Sequence, residues 1–157
     1  MSDETTLVGV DGCPGGWLCV VQRGTVLSAM VVDSIADALL RFEPTLLMVD
    51  IPIGLMDSGS RECDLLARQM LKPKRHASVF NTPVRAVLVA ETYAAANALH
   101  REVDNGRGMS AQSFAIMPKI NEVDQLLRDL PVVTTKQLQL WEQFRTSAPV
   151  TLRAASR

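Results

Sequence analysis

The sequence predicts a mixed α/β domain in which an antiparallel three-stranded meander leads, through one helical crossover, to a strand parallel to the first. Two observations carry this expectation. The apolar runs Leu7-Val8-Gly9-Val10, 17–21 and 25–32 are short and β-rich, and Gly-containing turns at 12–16 and at Arg23-Gly24 separate them, which is the spacing of a meander. A helical signal over 34–44 then precedes Leu46-Leu47-Met48-Val49. That run is apolar without polar alternation, which predicts a strand covered on both faces.

The remaining elements follow in order. Ser34 is placed to cap a helix with Ile35, Ala38 and Leu39 on one face, ending near Pro44. Ser60 is placed to cap a helix over 61–71, with Leu65, Leu66 and Met70 as its apolar stripe. An alanine-rich helix over 92–103 stops at Asn105-Gly106. The longest helix begins at Ser110 and runs to about Leu130, with Ile116, Ile120, Val123, Leu127 and Leu130 at alternating spacings of four and three. Pro118 either kinks it or replaces its first segment by an irregular turn. Residues 131–135 read as a short fifth strand and 136–144 as a final helix. Nothing repeats, and no linker divides residues 1–157, so a single domain is expected.

With 47% hydrophobic and 21% charged residues over 157 positions, the composition is that of a globular chain with a sizeable core. The formal net charge is −1, so a nucleic-acid partner would need a local basic patch. No apolar run has the length of a membrane span, and the opening MSDETT is polar and acidic; a cytoplasmic protein without a membrane partner is expected. The three cysteines, Cys13, Cys19 and Cys63, form no C-x-x-C pair and suggest neither a disulfide framework nor a zinc site. Cys19 lies in an apolar run and reads as a core residue. Cys13, in a Gly/Pro turn, is the candidate for thiol reactivity.

The chemistry centres on two aspartates. The first strand and the buried fourth strand each end in an acid, Asp11 and Asp50. A right-handed crossover would set these strands side by side and parallel, about 4.8 Å apart, with both acids at the carboxyl edge where α/β sheets build sites. Two such carboxylates repel unless a proton or a cation intervenes. Hard oxygen ligands with few other donors suit magnesium or manganese, which support attack of water on a phosphodiester. The plainer alternative is that each acid ends its strand and caps the following turn. Its occurrence at both strands favours the site.

Other candidates are weaker. Lys72, Lys74, Arg75 and His76 form the densest basic run, and Ser78 and Arg85 follow closely; Arg75, Ser78 and Arg85 are candidate phosphate-binding residues, or else part of a solvated helix end. His76 and His100 are expected at the surface. On the long helix, Gln112 and Lys119 share a face with Ile116 and Val123, and a lysine there either snorkels or meets a carboxylate. Asp124 borders that face and Glu122 points away from it, so Lys119 is a candidate catalytic residue. Asp124 is a candidate third metal ligand, with a salt bridge to Lys119 or Arg128 as the alternative. Gly12, Gly15 and Gly16 permit either a phosphate-binding turn or a tight hairpin, the hairpin being favoured.

The segments VGVDGCPGGW, DIPIGL, RECDLLAR followed by SVFNTPVRAVL, and SAQSFAIMPKINEVD occur in that order. Together, over about residues 7–130, they resemble the bacterial and archaeal family known as domain of unknown function 429, predicted to be ribonuclease H-like nucleases. The resemblance implies a ribonuclease H-like fold, a mixed five-stranded sheet with flanking helices, in which Asp11 on the first strand and Asp50 on the fourth bind metal. After the long helix the family pattern continues with a Glu-Val-His-Pro-Glu-like segment, whereas this chain reads Val133-Thr134-Thr135-Lys136-Gln137 and has a divergent segment over 131–157.

The combined expectation is a magnesium- or manganese-dependent phosphodiesterase or nuclease of weak or no activity. Asp11, Asp50 and Lys119 would be its catalytic residues, Asp11, Asp50 and Asp124 its metal ligands, and nucleic acid its partner. The alternative is a non-catalytic ribonuclease H-like binding or assembly module. A shortened C-terminal layer would expose apolar sheet surface and favour a homodimer.

Overall fold

The computed structural model describes residues 5–129. The three apolar runs form the first three strands, β1 (Thr6–Cys13), β2 (Gly16–Arg23) and β3 (Val26–Val32), which pair antiparallel in sequence order. The β1–β2 turn is the tight hairpin favoured from the glycines: Cys13 pairs with Gly16, leaving Pro14 and Gly15 at the tip. Gly16 is required there. Its φ is +129°, and a Cβ at this position would stand 2.1 Å from the Val32 carbonyl oxygen.

Helix α1 (Ile35–Phe42) carries the chain back. Ser34 caps it by accepting the Asp37 N–H, and Ile35, Ala38 and Phe42 form its buried face. The crossover delivers β4 (Leu46–Val49) parallel to β1, giving a sheet ordered β3-β2-β1-β4, with Leu7 opposite Leu46 and Val10 opposite Val49. The antiparallel-plus-parallel sheet expected from the sequence is therefore present. It has four strands among the described residues rather than five, because the fifth expected strand, 131–135, and the helix expected over 136–144 lie outside them.

One face of the sheet carries the core. Val8, Val10, Trp17, Cys19, Val21 and Val32 pack there against Ile35, Ala38 and Phe42 of α1 and Val123 of α5 (Met117–Asp129). On the opposite face Leu18, Val20, Leu27, Val31 and Met48 are exposed. This corrects the expectation that β4 is covered on both faces: among the described residues the helices cover one side only.

The helical half departs further from the sequence reading. Helix α2 (Glu62–Met70) starts one residue later than expected, has Arg61 at its N-cap position without a side-chain capping bond, and buries no residue. Ser60 does not cap it. Its hydroxyl accepts from Arg107, and Leu65, Leu66 and Met70 are exposed. Two 3₁₀ turns follow, His76–Ser78 and Arg85–Val89. Helix α3 (Tyr93–Val103) stops before Asn105-Gly106 as expected, both with positive φ; Thr92, expected as its first residue, is instead its N-cap.

The long helix is broken. Ser110 caps a short α4 (Ala111–Ala115), and α5 starts anew at Met117, which places Pro118 in the first turn, where its missing N–H has no intrahelical partner to lose. Ile120 and Val123 of the expected stripe are buried, joined by Met117 and Asp124, while Ile116 and Leu127 are exposed and Leu130 lies outside the described residues. A second apolar cluster of Val84, Val87, Ala96, Met109 and Met117 joins these helices to the Arg85–Val89 turn. No described helix is long and apolar enough to cross a membrane.

Candidate functional site

The register of the parallel pair fixes the two acids. Val10 lies opposite Val49, and the Asp50 N–H donates to the Val10 carbonyl at 3.0 Å, so Asp11 and Asp50 follow as neighbours at the carboxyl edge. Side chains alternate along a strand. Since Val8 and Val10 face the core, Asp11 belongs to the open face, as Asp50 does beside exposed Met48. Both aspartates are exposed, and neither carboxylate makes a hydrogen bond or ion pair among the described residues.

Asp64, Asp104 and Asp124, by contrast, are committed to protein donors. Asp64 takes two bonds from Arg61, at 2.6 and 2.9 Å, and a third from the Thr82 hydroxyl at 2.8 Å. Asp104 accepts the Gly59 N–H at 2.8 Å. Asp124, the candidate third ligand, is buried and pairs with Arg85 at 3.1 Å and Arg128 at 3.3 Å. The Arg128 alternative is thus realised, and the Lys119 one is not. Asp124 sits on α5, which packs on the covered face, whereas Asp11 and Asp50 emerge on the open one. Among the described residues no group of three or more His, Cys, Asp or Glu is placed to hold one metal ion.

Lys119 and Glu122 have roles that sequence spacing did not reveal. The Lys119 stem lies against Gly12, its ammonium stands 4.4 Å from the Trp17 ring centroid, and it donates to the Gly16 carbonyl at 2.6 Å. Glu122, read as pointing away, instead reaches the core edge. Its carboxylate accepts the Trp17 indole N–H at 3.0 Å and the Ile35 N–H at 2.7 Å, putting negative charge at the N-terminus of α1. A buried tryptophan needs a partner for its N–H, and that need was the one signal in the sequence that could have found Glu122.

The basic segment divides in two. Arg75 and Ser78 are exposed, as are Lys72 and Lys74. Arg85 is engaged with Asp124 and with the Leu55 carbonyl. His76 is exposed as expected. His100 is not: it is buried, with Nδ1 2.8 Å from the Arg107 carbonyl oxygen and Nε2 without a hydrogen-bond partner among the described residues. Cys19 is the core residue it was read to be. Burial, helped by the charges of Asp37 and Cys13, pushes its thiol up from the ordinary value. Cys13 is half-buried.

The geometry defines a class: a mixed α/β domain with a free acidic pair at the carboxyl edge of its parallel strands. Within that class, the chain belongs to the family described as protein of unknown function DUF429, whose model matches residues 9–139. The match runs past the long helix into the segment that the sequence reading set apart as divergent. No curated protein and no solved structure matches the chain.

Proposed function

We propose that this chain is a divalent-metal-dependent phosphodiesterase or nuclease of ribonuclease H-like type, with Asp11 and Asp50 as its protein ligands. One observation carries the reading. Two carboxylates stand in neighbouring register at the carboxyl edge, on the open face, without a protein donor among the described residues. Paired carboxylates open to solvent fit magnesium or manganese, which keep several waters and accept few protein ligands. When bound, such an ion supplies a Lewis acid and an activated water. The chain's own share is to hold the ion at Asp11 and Asp50 and to offer the exposed Lys72, Lys74, Arg75 and Ser78 to phosphate oxygens. Lys119 and Arg85 do not belong to this set, because the charged head of each is already bonded within the fold.

The second reading, a non-catalytic binding module of the same fold, draws on Asp124. Its carboxylate is paired with two arginines, so the acid expected as a third ligand is occupied. Manganese binding followed by electron paramagnetic resonance, with cleavage of short RNA and DNA, separates the two. Binding abolished by Asp11→Asn and by Asp50→Asn, with slow manganese-dependent cleavage lost in the same variants, is expected for the enzyme. Binding without cleavage supports the module. Manganese affinity unchanged by either substitution would refute the site.

A further inference from the structure

Residues 50–61 join β4 to α2 without helix or strand, and connections of that length commonly carry function. This one is tied down along its course. After the Asp50 N–H bond to Val10, Arg61 Nη1 donates to the Ile53 carbonyl at 2.8 Å. Arg85 then holds two successive carbonyls, Leu55 through Nη2 at 3.2 Å and Met56 through its backbone N–H at 2.9 Å.

Each guanidinium is itself fixed by a carboxylate. Asp64 grips Arg61 with both oxygens, a geometry that locks the plane of the fork, and Thr82 donates to the same carboxylate. Asp124 holds Arg85. Three residues of chain span at most about 10 Å, so a bond at the Ile53 carbonyl sets the direction in which the backbone leaves Asp50. The residues involved come from the segments DIPIGL, RECDLLAR, SVFNTPVRAVL and NEVD, which together span residues 50–124. Their meeting point is the chain that follows Asp50.

We propose that Arg61 and Arg85 are positioning residues that orient Asp50 toward Asp11, and that Asp64 and Asp124 act through these arginines rather than as metal ligands. This rests on the reading of Asp11 and Asp50 as the metal site. A control is built into α2. Arg68 also binds a carbonyl, that of Val79, together with the Asn81 side chain, but makes no bond to residues 50–61 among the described residues.

The test is manganese affinity of the full chain, measured by electron paramagnetic resonance for wild type, Arg61→Ala, Arg85→Ala and Arg68→Ala. Removing groups that orient metal ligands commonly lowers affinity by about tenfold or more, and that loss is expected for Arg61→Ala and Arg85→Ala, with Arg68→Ala near wild type. Arg61→Lys, which can still reach the Ile53 carbonyl but cannot form the two-pronged bond to Asp64, should fall between and guards against a variant that fails to fold. In metal-free protein, amide hydrogen exchange at 51–56 should quicken in Arg61→Ala and not in Arg68→Ala. Equal losses in Arg61→Ala and Arg68→Ala would overturn the positioning role and leave the metal site standing. Wild type that binds no manganese would overturn both.

Discussion

Residues 6–49 and residues 50–90 are stretches of similar length, and they are held in place by different forces. The first is a sheet and a helix with one buried face: Val8, Val10, Trp17, Cys19, Val21, Ile35 and Ala38 interlock, and most of its stability comes from apolar area withdrawn from water. The second contains a helix that buries nothing, two 3₁₀ turns and long connections. Beyond the small apolar cluster at Val84 and Val87, its order comes from arginines. Arg61 and Arg85 hold backbone carbonyls of the chain before α2, and Arg68 holds the Val79 carbonyl and the Asn81 side chain after it. The comparison teaches where the tolerance of each half lies. An apolar core absorbs changes that keep volume, whereas a polar mesh fails when one partner is left alone.

The largest effect is expected at the centre of the first stretch. Trp17 is fully buried, its indole N–H bonds Glu122, and its ring carries the Lys119 ammonium. Trp17→Ala should lower unfolding stability in urea by about 3–5 kcal/mol, with Glu122 and Lys119 left to find water. A loss below about 1 kcal/mol would show that the sheet half does not depend on its apolar core as the comparison holds.

In the second stretch a smaller effect with a distinct signature is expected. Arg61 and Asp64 are mostly buried, with side-chain exposures of 17% and 13%. Arg61→Ala leaves the Asp64 carboxylate and the Ile53 carbonyl short of donors and should cost about 1–3 kcal/mol. Replacing both partners, as Arg61→Met with Asp64→Leu, should cost less than the single change, because no charge is then left unpaired. Urea denaturation of the single and double variants checks this. If the double variant is the weaker of the two, the pair contributes net stability and not merely specificity.

The same contrast explains what the sequence disclosed. The three-stranded meander, the Ser34 cap, the Cys13–Gly16 hairpin and the β1–β4 pairing follow from local pattern and a handedness rule, and all are present. The Asp11–Asp50 neighbourhood was legible for that reason. The stripe of α2, and Ile116 and Leu127 of the long helix, were misread because apolar spacing says which residues share a face but not whether anything packs on it; Ile120 and Val123 are buried as expected. Leu65, Leu66 and Met70 share a face that is exposed, and Met117 and Asp124 join the buried face of α5. The bonds of Arg61, Arg85, Glu122 and His100 had no local signal. Apart from Asp64, three residues from Arg61, their hydrogen-bond partners lie between 7 and 105 residues away, and hydrogen-bonding capacity in a side chain does not name its acceptor.

The smallest expected effect also has the opposite sign. Asp64 and Asp124 are acids whose removal strands a cation, but Asp11 and Asp50 have no protein donor among the described residues and stand beside each other as like charges. Like charges on directly opposed residues of adjacent strands are destabilising, by up to about 1 kcal/mol and less when exposed. Asp11→Asn should therefore leave metal-free protein unchanged or raise its stability by a few tenths of a kcal/mol, roughly the scale of an exposed pair. Manganese reverses the ranking if the proposed ligands are right, since an ion bound only to the folded state stabilises it by an amount that grows with concentration above the dissociation constant. Urea denaturation of wild type and Asp11→Asn, with chelator and with excess manganese, gives four stabilities. The expected pattern has the variant equal or ahead in chelator and behind in manganese. A variant weaker by more than about 1 kcal/mol in chelator would mean that Asp11 caps its turn as a structural acid, and the distinction between free and committed carboxylates would lose its first member.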